Sequence, residues 1–334
     1  MIDQLWDVLQ GNRLKGAVIL KENGSIEDQI VQIRSALKSD ENVDRERMRR
    51  DLKLLEAGNL GEKQILYELK NSRIPMLVIR DLYLVHGEQS AQIDFLIMTR
   101  STFYLLECKN LYGNVEVNAQ GDFIRTVYDG KGKYRKEGIY SPITQNQRHL
   151  KVLKDMRLSD INNPLRKILF STSFESCHVP LVVLTNPRTV INLRYAKKEI
   201  RNQVIRSDQL VEILRQREQN RPHDLSDRDL ERLGQYFLSR HQEREWNVLE
   251  KYRLKPKEVI DEHHRLYQAL RSYRLAMCRK EKVEAYRIFT NHQMLQIIRL
   301  RPSTPEQLTQ IEGFRQDQIE RYGADVLRIL SLVK

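Results

Sequence analysis

The sequence predicts an α/β fold joined to a separate small all-α helical-bundle domain. Two patterns carry this. Between Gly61 and about Thr185 the chain runs helix, three strands with a hairpin extension, helix, strand. From Glu262 onward only helical patterns appear. The 334 residues, 40% hydrophobic and 31% charged, also leave room for two or three domains and at least one proper core.

The elements follow in order. Residues 26–57, "IEDQIVQIRSALKSDENVDRERMRRDLKLLEA", alternate charged and apolar residues at helical spacing with no proline or glycine. They read as one or two solvated helices ending at Gly58, and residues 1–55 as a helical N-terminal extension. "GEKQILYELKN" is a further helix with Ile65, Leu66 and Leu69 on one face. "MLVIRDLYLV", "AQIDFLIMT" and "TFYLLECKN" are β-rich runs separated by "HGEQS" and "RS", a meander of strands. "GNVEV" and "DFIRTVYD" are shorter strands, with "DGKGK" as a flexible tip. "SPITQNQRHLKVLKDM" is a helix opened by Ser141, with Pro142 at its first position. "HVPLVVLT" is a buried strand and "RNQVIRS" a shorter one, and 207–219 and 226–241 are helical. Residues 56–242 thus form one domain. The charged stretch 243–260, containing "LKPKE", reads as a linker, and 261–334 as the helical domain.

Composition narrows the function classes. No apolar run approaches the roughly 18 to 20 residues that span a bilayer, and "MIDQLWDVLQ" lacks the form of a signal peptide. Cys108, Cys177 and Cys278 are few, odd in number and far apart, with neither a disulfide framework nor zinc spacing. Adjacent His263 and His264 read as a solvated helix face. A cytoplasmic protein without structural zinc or membrane attachment is expected. The net charge of +12 and a pI near 9.5 point to a polyanionic partner, most commonly nucleic acid. From Lys251 onward 17 Lys and Arg face 10 Asp and Glu, against 40 and 35 in the rest, so the last quarter is the most basic part per residue.

One chemical motif occurs twice. Glu68-Leu69-Lys70 and Glu107-Cys108-Lys109 share a Glu-x-Lys spacing, each followed by Asn. On a helix, residues two apart lie about 200° apart, so Glu68 and Lys70 diverge. On a strand they share a face about 6 to 7 Å apart, so Glu107 and Lys109 converge while Leu106 and Cys108 face the core. The preceding strand adds Asp94, expected to project opposite an apolar face of Ile93, Phe95 and Ile97 and to lie across from the Glu107 region. A charge among such neighbours is costly unless paired or metal-bound. Glu62, opening its helix, offers a third carboxylate, although a first-turn charge favoured by the helix dipole is the plainer reading. Each residue alone is readily structural. The constellation is far more specific than its parts.

Together "GE" opening a helix, "QIDFLI", "LLECKN" and "SPITQNQRHL" resemble a nuclease-related domain (NERD) of the PD-(D/E)XK nuclease-like superfamily. The resemblance covers about residues 56–185, continuing to about 240, and implies a restriction-endonuclease-like αβββαβ core. It implies Glu62, Asp94, Glu107, Lys109 and Gln145 as catalytic positions, and Gly61 in a backbone role. Asp94, Glu107 and the Cys108 carbonyl would hold Mg²⁺ or Mn²⁺ for hydrolysis of a phosphodiester. Lys109 would position the attacking water or offset charge in the transition state, Glu62 would stand outside the first ligands or at a second ion, and Gln145 would orient water or phosphate.

"LYQALRSYR", "AYRIF", "LRPSTPEQL", "IEGF" and "RYGADVL" resemble a helicase-and-RNase-D C-terminal (HRDC) domain over about 70 residues. That family implies an accessory module for nucleic acid or protein. Arg271, Arg274, Arg279, Lys280 and Lys282 offer phosphates a basic surface. Arg315 replaces the second glycine of the family's usual Gly-x-Gly turn, so contact there is expected through its side chain. Tyr267, Tyr273 and Tyr286 are expected in the core or at its boundary. The expectation is a metal-dependent nuclease acting on nucleic acid, DNA before RNA, with a helicase or repair protein as a candidate partner and the oligomeric state open. The alternative is a non-catalytic nucleic-acid-binding or protein-interaction scaffold with the same fold.

Overall fold

The computed structural model describes residues 14–332 except 40, 41, 129, 131, 223, 224, 245, 255 and 256. The chain divides into two compact units, Met1–Tyr252 and Arg253–Lys334.

The first unit opens with β1 (Ala17–Lys21), which pairs in parallel with β2 (Met76–His86). The N-terminal extension is therefore not wholly helical: its short apolar run is completed by a sheet edge and carries no helical period of its own. Helix α1 (Ser25–Lys38) follows, then α2 (Arg45–Asn71), capped by the Asp44 side chain on the Arg47 N–H. A break at Gly58 was expected. Instead α2 runs through Gly58 and Gly61, because Ile65, Leu66 and Leu69 bury one face. Each mid-helix glycine costs about 1 kcal/mol, less than such a face returns. β2, β3 (Gln89–Met98) and β4 (Phe103–Lys109) form the antiparallel meander.

β5 (Asn114–Val117), β6 (Phe123–Tyr128) and β7 (Tyr134–Ile139) build most of a second, smaller sheet. β7, "YRKEGI", is too charged to read as a strand; its ladder with β6 makes it one. α3 (Pro142–Ser159) is capped by Ser141, as expected. α4 (Pro164–Cys177), which the sequence did not signal, buries only Phe174 fully. β8 (His178–Leu184) lies parallel to β4, β9 (Ile191–Asn192) joins the small sheet, and α5 (Lys198–Arg201) leads to β10 (Val204–Arg206). α6 (Leu210–Gln219) and α7 (Asp227–Arg240) close the layer structure. The main sheet order is β1-β2-β3-β4-β8-β10, an α/β architecture containing the expected αβββαβ succession. Its two faces bury separate cores, one against α3, α4 and α7, the other against α2 and α6.

The stretch read as a linker is partly folded into this unit. α8 (Val248–Tyr252) buries Val248 and Tyr252 beside Ile33 and Met48 of the N-terminal helix pair.

The second unit is helical throughout: α9 (Lys257–Glu281), α10 (Ala285–Ile288), α11 (Asn291–Leu300), α12 (Pro305–Leu308) and α13 (Gln316–Gln318), with a π turn at Ile319–Gly323 entering α14 (Ala324–Leu332). Its core includes Leu266, Leu270, Phe289, Ile297 and Val326. Among the described residues no helix is long and apolar enough to cross a membrane.

Candidate active site

The antiparallel ladder between β3 and β4 ends at Phe95 opposite Leu106. The next residue on each strand is Asp94 and Glu107, so the two carboxylates stand across from one another. The Cys108 N–H donates to Asp94 Oδ2 at 2.7 Å and fixes that side chain. Lys109, two residues beyond Glu107, donates from Nζ to Glu107 Oε1 at 2.6 Å and to Gln145 Oε1 at 3.2 Å. The strand alternation behind Glu107 and Lys109 holds, with Leu106 and Cys108 turned to the α2 side.

The strand expectation around Asp94 holds only in part. Ile93 packs with Leu96 and Met98 on one face, Phe95 and Ile97 on the other. The ladder pairs Arg80 with Phe95 and Leu82 with Ile93, and Asp81 between them sits at φ +51°. A left-handed residue interrupts the alternation of faces, and Asp94 lies on the partner strand at that point.

α3 supplies the roof. Asn146 Nδ2 donates to the carbonyls of Leu105 and Leu181 at 2.8 and 3.1 Å, tying the helix across β4 and β8. That places Gln145 on Lys109, and one turn later His149, whose Nδ1 lies 3.7 Å from Glu107 Oε2. Sequence reasoning missed His149. The signal was present, since positions four apart on a helix share a face.

Glu62 is positioned by α2 but engaged elsewhere: Arg80 Nε donates to its Oε2 at 2.9 Å. Arg80 was also missed, although a lone arginine in "MLVIRDLYLV" carries the same signal as Asp94. Gly61, just before Glu62, is required by close approach. A Cβ there would stand 2.3 Å from Thr185 Oγ1 and 3.2 Å from Asn110 Cβ.

The electrostatics are those of crowded, desolvated carboxylates. Burial first and the Glu107 charge second push Asp94 up to about 8. Burial and then Asp94 push Glu62 to about 7, against the pull of Arg80. Burial raises Glu107 despite Lys109. Burial opposes the Lys109 ammonium, but Glu107 outweighs it and the pKa rises. His149 is driven down to about 4 by burial and then by Lys109, so it is neutral at pH 7.

Glu107 is only 2% exposed, and its Oε2 has no hydrogen-bond partner. A buried, unsatisfied carboxylate oxygen costs several kcal/mol unless a cation or donor reaches it. Among the described residues no three His, Cys, Asp or Glu side chains stand together as a ready ligand set. Mg²⁺ commonly takes only one or two carboxylates and completes its octahedron with water and substrate oxygens. The Asp94–Glu107 pair, with its unpartnered oxygen, fits such an ion.

An apolar cavity of about 210 Å³ lies at the start of β4, lined by Phe103, Phe174, His178 and Phe237 and by no carboxylate. Glu107 lies four positions beyond Phe103, roughly 13 Å of strand, so that cavity is a separate feature.

In the second unit Arg271, Arg279, Lys280, Lys282 and Arg315 are exposed. Arg274 is not part of that basic surface. It is 9% exposed, donates to the Phe289 carbonyl and to Asn291 Oδ1, and lies over the Phe289 ring. Tyr267 and Tyr273 are boundary residues, whereas Tyr286 is exposed.

Comparison with known proteins adds an independent line. The nuclease-related domain family matches residues 57–185, and the HRDC domain family matches residues 263–330. The ATP-dependent DNA helicases UvrD2 of Mycobacterium bovis and Mycobacterium tuberculosis are 33% identical over 72 residues, 22% of this chain and 10% of the helicase. The chain thus spans about a tenth of those relatives. A solved structure described as "D. radiodurans RecQ HRDC domain 3" is 27% identical and covers 21% of this chain and 93% of its own, with a TM-score of 0.21.

Proposed function

Because the chain holds a nuclease-related domain at residues 57–185 and an HRDC domain at 263–330, we propose that it is a metal-dependent nuclease acting on nucleic acid, DNA before RNA. The observation that carries this reading is the buried Glu107 Oε2, which has no hydrogen-bond partner, on the strand beside Asp94; the pKa values of Asp94, Glu62 and Glu107 are all raised.

Asp94 and Glu107 would hold Mg²⁺ or Mn²⁺, with the Cys108 carbonyl as a further oxygen ligand. When bound, such an ion polarises a phosphoryl oxygen and makes its water more acidic. The chain's own groups do the rest. Lys109, held between Glu107 and Gln145, keeps an ammonium beside the position where negative charge grows on the phosphoryl oxygens. Gln145 fixes that ammonium and has an amide N–H left for water or phosphate. Glu62 sets the charge of the site from behind through Arg80 and Asp94. His149 is neutral at pH 7 and offers one hydrogen bond beside Glu107.

In the second unit, Arg279, Lys280, Lys282, Arg271 and Arg315 would contact phosphates. A helicase or repair protein is a candidate partner. The absence of a ready three-ligand set among the described residues favours a second reading, a nucleic-acid-binding scaffold that does not cut.

Cleavage of labelled single- and double-stranded DNA and RNA with Mg²⁺ or Mn²⁺ tests the choice, with wild type and Glu107→Ala side by side. Metal-dependent cleavage lost in the variant is expected. No cleavage of any polymer, or equal cleavage by both, contradicts the nuclease reading.

A further inference from the structure

The small sheet carries an unusual surface. Among the described residues seven large aromatic side chains are exposed, all tyrosines. Five of them, Tyr112, Tyr128, Tyr134, Tyr140 and Tyr195, belong to this sheet and its connecting segments. An exposed aromatic ring gains nothing from solvent, and a cluster of them marks a contact surface.

The register divides the sheet into two faces. Phe123 pairs with Ile139 and Val117, and these side chains pack with Ile143 and Leu184 towards the main sheet. Tyr128 pairs with Tyr134, and Thr126 with Lys136, so these four share the opposite, outer face. Tyr134 is 75% exposed, and its ring centre lies 5.3 Å from that of Tyr128.

Charge surrounds the rings. Residues 110–140 and 186–201 contain 10 Lys and Arg against 5 Asp and Glu. Glu137 is engaged by Arg125 and Arg135, so one carboxylate and two guanidiniums leave the balance together and the remaining excess is still basic. Arg194 lies over Tyr195 at 5.8 Å, and Arg148 over Tyr140 at 5.6 Å.

The sheet is also chained to the carboxylate site at both ends. β5 starts five residues after Lys109, and β7 ends six residues before Gln145. Arg148, beneath Tyr140, is the neighbour of His149 in sequence.

We propose that the outer face of the β5–β7 sheet is a stacking platform for single-stranded nucleic acid, which it leads into the carboxylate site. Exposed rings stack on bases only when the base faces are free, which a duplex denies and a single strand provides. Flanking cations neutralise the backbone without reading sequence. The direction of the strand into the site rests on the nuclease reading; the platform itself does not.

The test is binding of the full chain in EDTA, where nothing is cut, to short labelled single-stranded DNA and RNA and to a duplex of equal length. Fluorescence anisotropy should show single strands of either sugar bound more tightly than duplex. Tyr128→Ala with Tyr134→Ala should weaken single-strand binding about tenfold or more, and Tyr128→Phe with Tyr134→Phe should retain it. Photo-crosslinking to an oligonucleotide carrying 5-iodouracil should give adducts on the β6–β7 peptide. Unchanged affinity in the alanine pair, equal loss in the phenylalanine pair, duplex bound as tightly as single strand, or adducts only elsewhere would each overturn the platform. Binding here without cleavage removes the nuclease reading and leaves the platform. Cleavage indifferent to the alanine pair does the reverse.

Discussion

Arg80 commits all five of its N–H donors inside the fold: Nε to Glu62, Nη1 to Glu27 and the Glu22 carbonyl, Nη2 to Glu27 and Asn59. Its side chain is 2% exposed. Removing one partner of a buried pair leaves the other charge stranded, so Arg80→Ala should cost about 3 kcal/mol or more. Lysine has one charged nitrogen and cannot reproduce the fork. Chemical denaturation of Arg80→Ala and Arg80→Lys checks both statements; either variant as stable as wild type contradicts them. His178 makes a pH-dependent case. It is sandwiched between Phe103 and Phe174, donates from Nδ1 to the Phe174 carbonyl, and burial holds its pKa down at about 4. The unfolded imidazole takes up a proton near pH 6.5 and the folded one only near 4. Its stabilising contribution is therefore complete above 6.5 and is lost as pH falls towards 4, by up to about 3 kcal/mol. Subtracting the stability–pH curve of His178→Phe from that of wild type should isolate this loss. At this scale Glu107, Lys109 and Gln145 were legible because a strand puts residues two apart on one face and Gln145 sat in a recognisable motif. Arg80 and His149 needed the tertiary structure to say which neighbours they face.

Helix α2 shows why element boundaries are harder to read than elements. Gly58 looks like a stop signal, but the apolar face from Ile65 to Leu69 draws the helix through it. Gly61 is then the position where helix and sheet meet most closely. Gly61→Ala gains about 1 kcal/mol of helix propensity. The added Cβ must displace Thr185 and Asn110, an overpacking cost of about 1–3 kcal/mol. The clash should win, and the shift moves Glu62. Lowered stability together with at least tenfold lower cleavage is expected, measured by thermal unfolding and initial rates; a stabilised, fully active Gly61→Ala contradicts the packing argument. β1 and β7 were not legible for a related reason. Neither has an apolar alternation of its own length, and each exists because a neighbouring strand offers a ladder.

Across the whole molecule, the fold class and the separate helical unit were read correctly from pattern alone, since periodicity over dozens of residues averages out local exceptions. The carboxylate group sets the pH behaviour. Asp94, Glu62 and Glu107 all have raised pKa values in the fold. Their stabilising contribution is present below about pH 4, where the unfolded groups are also protonated; for Glu62 and Asp94 it is lost as pH rises through about 7 and 8, and for Glu107 it is lost in the same direction. In chelator the unfolding temperature should fall above about pH 6.5, where His178 is already neutral, the difference between the wild-type and Asp94→Asn curves should isolate the carboxylate loss, and Mn²⁺ at pH 8 should restore the wild type. A scan with no metal effect at pH 8 contradicts this. The same group supplies the most direct test, because a cleavage assay also depends on offering the right polymer and ion binding does not. Mn²⁺ should be titrated into wild type and Glu107→Gln at pH 8 by calorimetry. The account predicts saturable binding to the wild type, weakened about tenfold or more in the variant. Identical isotherms, or no binding to either protein, would contradict the claim that Glu107 holds the ion of a nuclease.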